Sequence, residues 1–222
     1  MRARFALVAA TAAICAACSV LPGAAVAGTL DQQQTATVYD AGVGATVTVA
    51  QVFRAGITGK LDRVDLLIDH LASPTDPLNV EIRNASSGAP GSTVLATVSL
   101  PPASVPTIST FVPVTFASPL AVVAGTQYAI DLYSADPSSN YGWGVTATDL
   151  YAGGDSFNFT GSPPGPSPVW NDDPAQDTAF KTYVVPPASG TGQRARALAK
   201  CKKKHSKKAR KKCRKKAKRL PV

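Results

Sequence analysis

Short runs of alternating apolar and polar residues follow one another from Thr37 to Val184, each cut off by Gly, Pro, Ser or Asp. A period of two places one set of side chains on each face of an extended strand. The pattern predicts strands at 46–54, 60–71, 78–83, 93–100, 110–117, 127–133, 141–146 and 178–184. In 127–133, Tyr128, Ile130 and Leu132 share one face, and Gln127, Asp131 and Tyr133 the other. In 79–83, Val80 and Ile82 oppose Asn79, Glu81 and Arg83. Val94, Ala96, Val98 and Leu100 face together. One apolar and one polar face marks an antiparallel sheet packed on one side.

The interruptions have turn chemistry. They are Ser73-Pro74-Thr75-Asp76-Pro77, Ser86-Ser87-Gly88-Ala89-Pro90-Gly91, Ala124-Gly125-Thr126 and Asp136-Pro137-Ser138-Ser139-Asn140. Gly, Pro, Asn, Asp and Ser each favour turns for their own backbone or side-chain reason. Many short strands so spaced predict an all-β antiparallel sandwich. Its extent, 30–185, suits an eight-stranded jelly roll better than a seven-stranded immunoglobulin domain. Gly161 to Pro168 carries four prolines and is expected as a surface loop, because each proline removes a ladder donor. Residues 186–193 read as a Pro/Gly linker. No segment with a helical period precedes residue 194.

Charge divides the chain. From Gly28 to Gln193 there are fourteen acids against five cations, whereas 194–222 holds sixteen Lys and Arg and no acid. An acidic body with a basic tail suggests two jobs on one chain. The start reads as a signal peptide, 1–27. Arg2 and Arg4 precede an Ala-rich apolar run, and Ala25-Val26-Ala27 gives a small-x-small cleavage pattern. Cleavage removes Cys15 and Cys18 and leaves Cys201 and Cys213. Two cysteines in an exported protein favour a disulfide. The expected location is secreted, either extracellular or associated with the cell envelope.

Enzyme chemistry is sparse in this pattern. There is no Gly-x-Ser-x-Gly, no P-loop and no Gly-x-Gly-x-x-Gly. His70 lies near a strand end and reads as a rim residue. Asp65 and Asp69 share a strand face about 13 Å apart, beyond the ~5–9.5 Å that glycoside hydrolysis needs. No catalytic residue is assigned and no cofactor is expected. The metal candidate is a structural Ca²⁺ held by Asp172, Asp173 and Asp177; a second acidic pair is Asp131 with Asp136. The aromatic candidates for sugar contact are Trp143, Trp170, Tyr141 and Tyr151, with ordinary core packing as the competing reading. A secreted glycan hydrolase using the Asp172–Asp177 loop is the third alternative.

The tail has good helix formers and no Gly or Pro until Pro221. Ala195, Leu198 and Cys201, and then Ala209, Cys213, Ala217 and Leu220, each step along one helix face. One straight helix would set the two cysteines about 18 Å apart, and a disulfide needs Cα atoms within ~7 Å. The spacing therefore predicts a helical hairpin that turns near His205-Ser206 and is closed by Cys201–Cys213. Its cations, Lys202, Lys203, Lys204, Lys207, Lys208, Arg210, Lys211, Lys212, Arg214, Lys215 and Lys216, would face solvent and bind polyanions. Anionic envelope polymers or lipid head groups are the expected partners, with glycans as further partners of the sandwich. Nucleic acid is not expected, because no aromatic is interleaved to stack bases. Oligomeric state is not read from the sequence.

Thr35 to Val185 resembles a family of secreted bacterial β-sandwich domains with a "choice-of-anchor" name, seen especially in actinobacteria. The residues that carry it are Ala50-Gln51-Val52-Phe53, Gly59 to Leu66, Leu78 to Arg83, Gly91 to Ala96, Pro119 to Ile130, Tyr141-Gly142-Trp143-Gly144 and Asp177 to Val184. The resemblance implies an exported, non-catalytic sandwich fixed at the cell surface through a variable terminus. The tail is similar to Lys/Arg-rich termini with paired cysteines on other exported actinobacterial proteins. No LPxTG-type signal and no apolar C-terminal span is found in the sequence.

Overall fold

A computed structural model describes residues 27–137, 140–160, 169–187 and 191–220. Residues 1–26 of the expected signal peptide, the proline-rich 161–168 and residues 188–190 of the linker lie outside the described residues.

In chain order the strands are β1 (Thr29–Gln34), β2 (Tyr39–Val43), β3 (Val47–Arg54), β4 (Gly59–His70), β5 (Leu78–Ser86) and β6 (Ala89–Leu100). They continue with β7 (Thr110–Val122), β8 (Gln127–Ser134), β9 (Tyr141–Val145), β10 (Ser156–Thr160), β11 (Asn171–Asp173) and β12 (Phe180–Val185). Two helices follow, α1 (Thr191–Lys202) and α2 (Lys207–Ala217). The all-β sandwich expected from the alternation is what the chain forms.

β4 is the hub of the first sheet. Along one edge it pairs with β12 through residues 60–66 and with β9 through residues 68–70, and β7 lies along its other edge. β1 pairs with β12, and β2 with β9. The second sheet runs β11-β10-β3-β8-β5-β6. Every pairing is antiparallel.

The inner faces are the apolar sets that the alternation marks, except that a register shift after Ala96 sets Val94 opposite Arg83 and leaves it exposed. Val64, Leu66 and Ile68 of β4 face Val80 and Ile82 of β5 and Ile130 and Leu132 of β8, all with no exposed surface. Phe53, Phe180 and Tyr128 add aromatic bulk, with Phe53 5.9 Å from Tyr128 and 6.2 Å from Phe180 between ring centroids. Each fully buried aliphatic side chain of this size contributes about 1.5–3 kcal/mol, so the seam between the sheets dominates stability.

Three departures from expectation have local causes. The interruption at 86–91 shrinks to a two-residue turn, because Ser87 (φ 55°) and Gly88 (φ 87°) both adopt the left-handed conformation that joins twisted strands. β7 continues past Ala117 to Val122 through a register shift opposite Asp62. It tolerates Pro113 and Pro119 because, among the described strands, it pairs with β4 alone and so forms a sheet edge. Four strands were not expected: β1, β2, β10 and β11. They are short or polar (TLDQQQ, YDAGV, SFNFT, NDD) and are defined by the strands beside them.

Candidate polyanion-binding hairpin and sandwich cleft

The tail folds back on itself. α1 ends at Lys202, and Ser206 caps α2, its hydroxyl accepting a hydrogen bond from Ala209 N at 3.1 Å. That is a side-chain N-cap, satisfying one of the donors that a helix start leaves orphaned. Arg210 Nε donates to the Lys204 carbonyl at 2.8 Å and closes the turn from the other side. The Cys201–Cys213 disulfide joins the helices with Cα atoms 5.5 Å apart.

The seam is small: Cys201 and Ala217 are buried, and Ala197, Leu198 and Cys213 are half-buried. It differs from the expected stripe in three places: Ala195, Ala209 and Leu220 are exposed. The disulfide fixes which face of α1 meets α2, and Ala197, four residues before Cys201, shares that face whereas Ala195 does not. Ala209 lies a full turn nearer the loop than Cys213.

All eleven expected cations, from Lys202 to Lys216, are exposed. Lys207, Arg210, Lys211, Arg214, Lys215 and Lys218 form one continuous face of α2. Eleven residues of rise put these six charges within about 16 Å. Unlike charges scattered along a loose tail, they point to one side together. Lys and Arg each contribute about 1 kcal/mol near an anionic surface, and the effect fades within a Debye length.

In the sandwich, the expected aromatic set is taken apart by the fold. Trp143 has no exposed surface, and its Nε1 donates to the Ala179 carbonyl at 3.0 Å. Tyr141 is buried, with its hydroxyl donating to the Asp76 carbonyl at 2.6 Å. Tyr151 packs edge-on to Phe180 at 5.1 Å, donates to Gln32 Oε1 at 3.0 Å and accepts from Arg54 N at 3.2 Å. Burial pushes both phenols up to about 12, helped by Asp136 and Asp76 at Tyr141 and opposed by the Arg54 amide at Tyr151, so they stay protonated. These three rings correct the expectation of loop aromatics: each sits on an inward face and spends its polar end inside the protein. Trp170 is half-buried over the outer face of the second sheet, where it packs edge-on to Phe159 at 6.1 Å.

The acids are likewise engaged. Asp177 is fully buried and accepts from Leu150 N at 2.7 Å, Tyr151 N at 2.8 Å and Gln51 Nε2 at 3.1 Å. Burial raises its pKa, and these three donors pull it back. Asp173 accepts from Gln176 Nε2 at 2.7 Å, and Asp172 is exposed on β11. Among the described residues no three His, Cys, Asp or Glu side chains form a group that could hold a metal. The Asp172, Asp173 and Asp177 set therefore does not converge, because Asp177 turns inward to cap the loop 149–151. Asp136 accepts from Thr75 N at 2.8 Å and Asn140 Nδ2 at 2.9 Å.

Asp131 pairs with Arg83 instead of Asp136. Arg83 Nε lies 2.8 Å from Asp131 and its NH2 group 2.7 Å from Glu81, and all three residues are buried. Tyr133 adds a hydrogen bond to Glu81 at 3.1 Å. Burial raises the Asp131 pKa to about 7 against the pull of Arg83, and Glu81 adds to the rise. His70 lies at the sheet rim with Nδ1 against the Ala72 carbonyl at 2.5 Å.

One feature of the sandwich was missed in the sequence. A cleft of about 330 Å³ opens between the sheets, lined by Ala41 and Val145 on one side and Val47, Val49, Ser156, Asn158, Asp173 and Gln176 on the other.

No protein-family model matches the chain, and no curated protein does. Among solved structures, it is similar to the cysteine protease and lectin-like domains of Cwp84, a surface layer associated protein of Clostridium difficile. Identity is 18%, the TM-score is 0.41, and the match covers 63% of this chain and 32% of that one. The chain thus spans about a third of that neighbour. A likeness of this size transfers neither chemistry nor a site. Among the described residues no helix is long and apolar enough to cross a membrane.

Proposed function

We propose that this chain is an exported, non-catalytic β-sandwich with a structural or adhesive role, held at the cell envelope by its basic hairpin. The hairpin meets anionic polymers or lipid head groups. The observation that carries this reading is the one-sided array of Lys207, Arg210, Lys211, Arg214, Lys215 and Lys218 on a helix tied to its neighbour by a disulfide. A hairpin so charged is unfavourable by itself, since like charges one turn apart repel. Holding it together against that repulsion makes sense where an external polyanion supplies the counter-charge.

The sandwich supports the structural half of the proposal. Its central strands run β1-β12-β4-β7 in one sheet and β3-β8-β5-β6 in the other. First pairs with last and inner strands nest within outer ones, which is the order of a jelly roll. Asp177 and Asp136 serve as caps and Asp131 and Glu81 as ion-pair partners, which favours a scaffold over a hydrolase. The resemblance to choice-of-anchor domains points the same way.

The test is sedimentation with lipid vesicles, using the full chain and a version ending at Gln193. The full chain is expected to sediment with vesicles containing phosphatidylglycerol at low salt, to be released by added salt, and to ignore pure phosphatidylcholine. The shortened chain is expected to stay in solution throughout. Equal sedimentation of the two forms would overturn the proposal.

A further inference from the structure

The cleft between the sheets runs against the logic of its own strands. Inward-facing positions of a sandwich are ordinarily apolar. In β10 the register pairs Ser156 with Gln51, Asn158 with Val49 and Thr160 with Val47. Val49 belongs to the core, so Asn158 and its partners at two-residue spacing look between the sheets. β11 continues the same face, with Asn171 opposite Asn158 and Asp173 opposite Ser156. On the facing sheet, Ala41 of β2 and Val145 of β9 leave room where larger residues fill the centre. The result is an apolar bed edged by amides, a carboxylate and hydroxyls.

These polar groups are already arranged. Asn171 Nδ2 donates to Asn158 Oδ1 at 3.2 Å, Gln176 Nε2 to Asp173 Oδ2 at 2.7 Å, and the Tyr39 hydroxyl to Gln176 Oε1 at 2.5 Å. A buried layer supports them. Gln51, without exposed surface, donates to Asp177 at 3.1 Å and accepts from Thr178 N at 2.7 Å. Tyr39 stands at the rim, 45% exposed.

We infer that this cleft binds a single neutral sugar residue of a glycan. The chemistry narrows the choice. No Lys or Arg lines the cleft and one carboxylate does, so an anion is repelled. One carboxylate is too little charge for a divalent ion, which takes six to eight oxygens. Planar amide and carboxylate groups match neighbouring hydroxyls of a pyranose in pairs. The valines meet its C–H face, and Tyr39 closes the open side. The volume is at the lower end of small-molecule sites and accepts one ring. This inference is independent of the basic hairpin, because a neutral sugar gives the cations nothing to bind.

The experiment is an NMR titration of the ¹⁵N-labelled full chain in high salt with the methyl glycosides of glucose, galactose, mannose and N-acetylglucosamine. At least one is expected to shift the amides of Tyr39, Val145, Asn158 and Gln176 saturably. Asn158→Ala and Asp173→Ala are each expected to weaken that binding about tenfold, the usual effect of losing a hydrogen bond to a bound ligand. Gln176→Ala, in the loop after β11, repeats the test where strand pairing is not at stake. Melting curves check that the variants remain folded. The inference is overturned if none of the four glycosides produces saturable shifts at the cleft. Shifts centred on Trp170, or affinity unchanged in Gln176→Ala and in whichever of the other two variants remain folded, overturn it as well.

Discussion

The sandwich and the hairpin solve opposite problems. The sandwich has fourteen acids among five cations and hides several of them: Asp131, Asp177 and Glu81 are buried and hydrogen-bonded. The hairpin has no acid, and its expected polyanion-binding cations are all in water. One unit is held by a wide apolar seam and tolerates charge inside it. The other has almost no seam and depends on a covalent link and a cap. Stability in the first comes from area, and in the second from a few local constraints.

That contrast is sharpest where a substitution moves one unit and leaves the other alone. Trp143→Ala removes the largest fully buried side chain and one of the two donors to the Ala179 carbonyl, leaving Leu67 N. It is expected to lower sandwich stability by about 3–5 kcal/mol, read as an earlier urea midpoint in near-UV circular dichroism. Binding to anionic vesicles should survive under native conditions.

The pH dependence of the sandwich comes next. Asp131 has a folded pKa near 7 against an ordinary 3.8, so the folded state holds this proton more tightly than the unfolded one. The stabilisation it brings is complete below about pH 4 and is lost as pH rises through about 7, at up to ~1.4 kcal/mol per pH unit. Asp131→Asn keeps an acceptor for Arg83 and is expected to flatten the curve over that window. Urea denaturation at a series of pH values measures it, and a slope unchanged by the substitution would remove Asp131 as its source.

The double substitution Cys201→Ser with Cys213→Ser acts only on the hairpin. Closing a loop of this length is worth about 3 kcal/mol in the chain-entropy account. Helical signal at 222 nm is expected to fall, more at low salt than at high salt, because screening relieves the repulsion between cations. The sandwich transition should not move. If it does, the two units are coupled and the comparison fails. Ser206→Ala is the smallest step: losing the cap costs about 1 kcal/mol and should reduce helicity while vesicle binding changes by less than in the double cysteine variant.

Much of this was readable in advance, and the gaps have causes. The eight expected strands are each present, because alternation survives wherever one face meets the core. β1 and β11 escaped because TLDQQQ and NDD have no apolar face; pairing with β12 and β10 makes them strands. β10 does alternate, with Ser156, Asn158 and Thr160 opposite Phe157 and Phe159. The natural guess turns the phenylalanines inward, yet Phe157 belongs to the small outer cluster with Ala50 and Val52. The polar cleft was invisible for that reason. Trp143, Tyr141 and Tyr151 offered the same ambiguity, since an aromatic near glycines suits a binding rim and a core equally well.

By itself the sequence determined the strand periods, the turn positions, the division of charge and the need for the tail to reverse between its cysteines. These are properties of neighbours along the chain or of a fixed spacing. Only the tertiary structure decided which face of each strand looks inward, because a period of two is symmetric and sidedness comes from the opposing sheet. That decision buried three of the four expected aromatics, drew Asp177 inward from its acidic neighbours, and left Asn158, Asp173 and Gln176 around an open cleft.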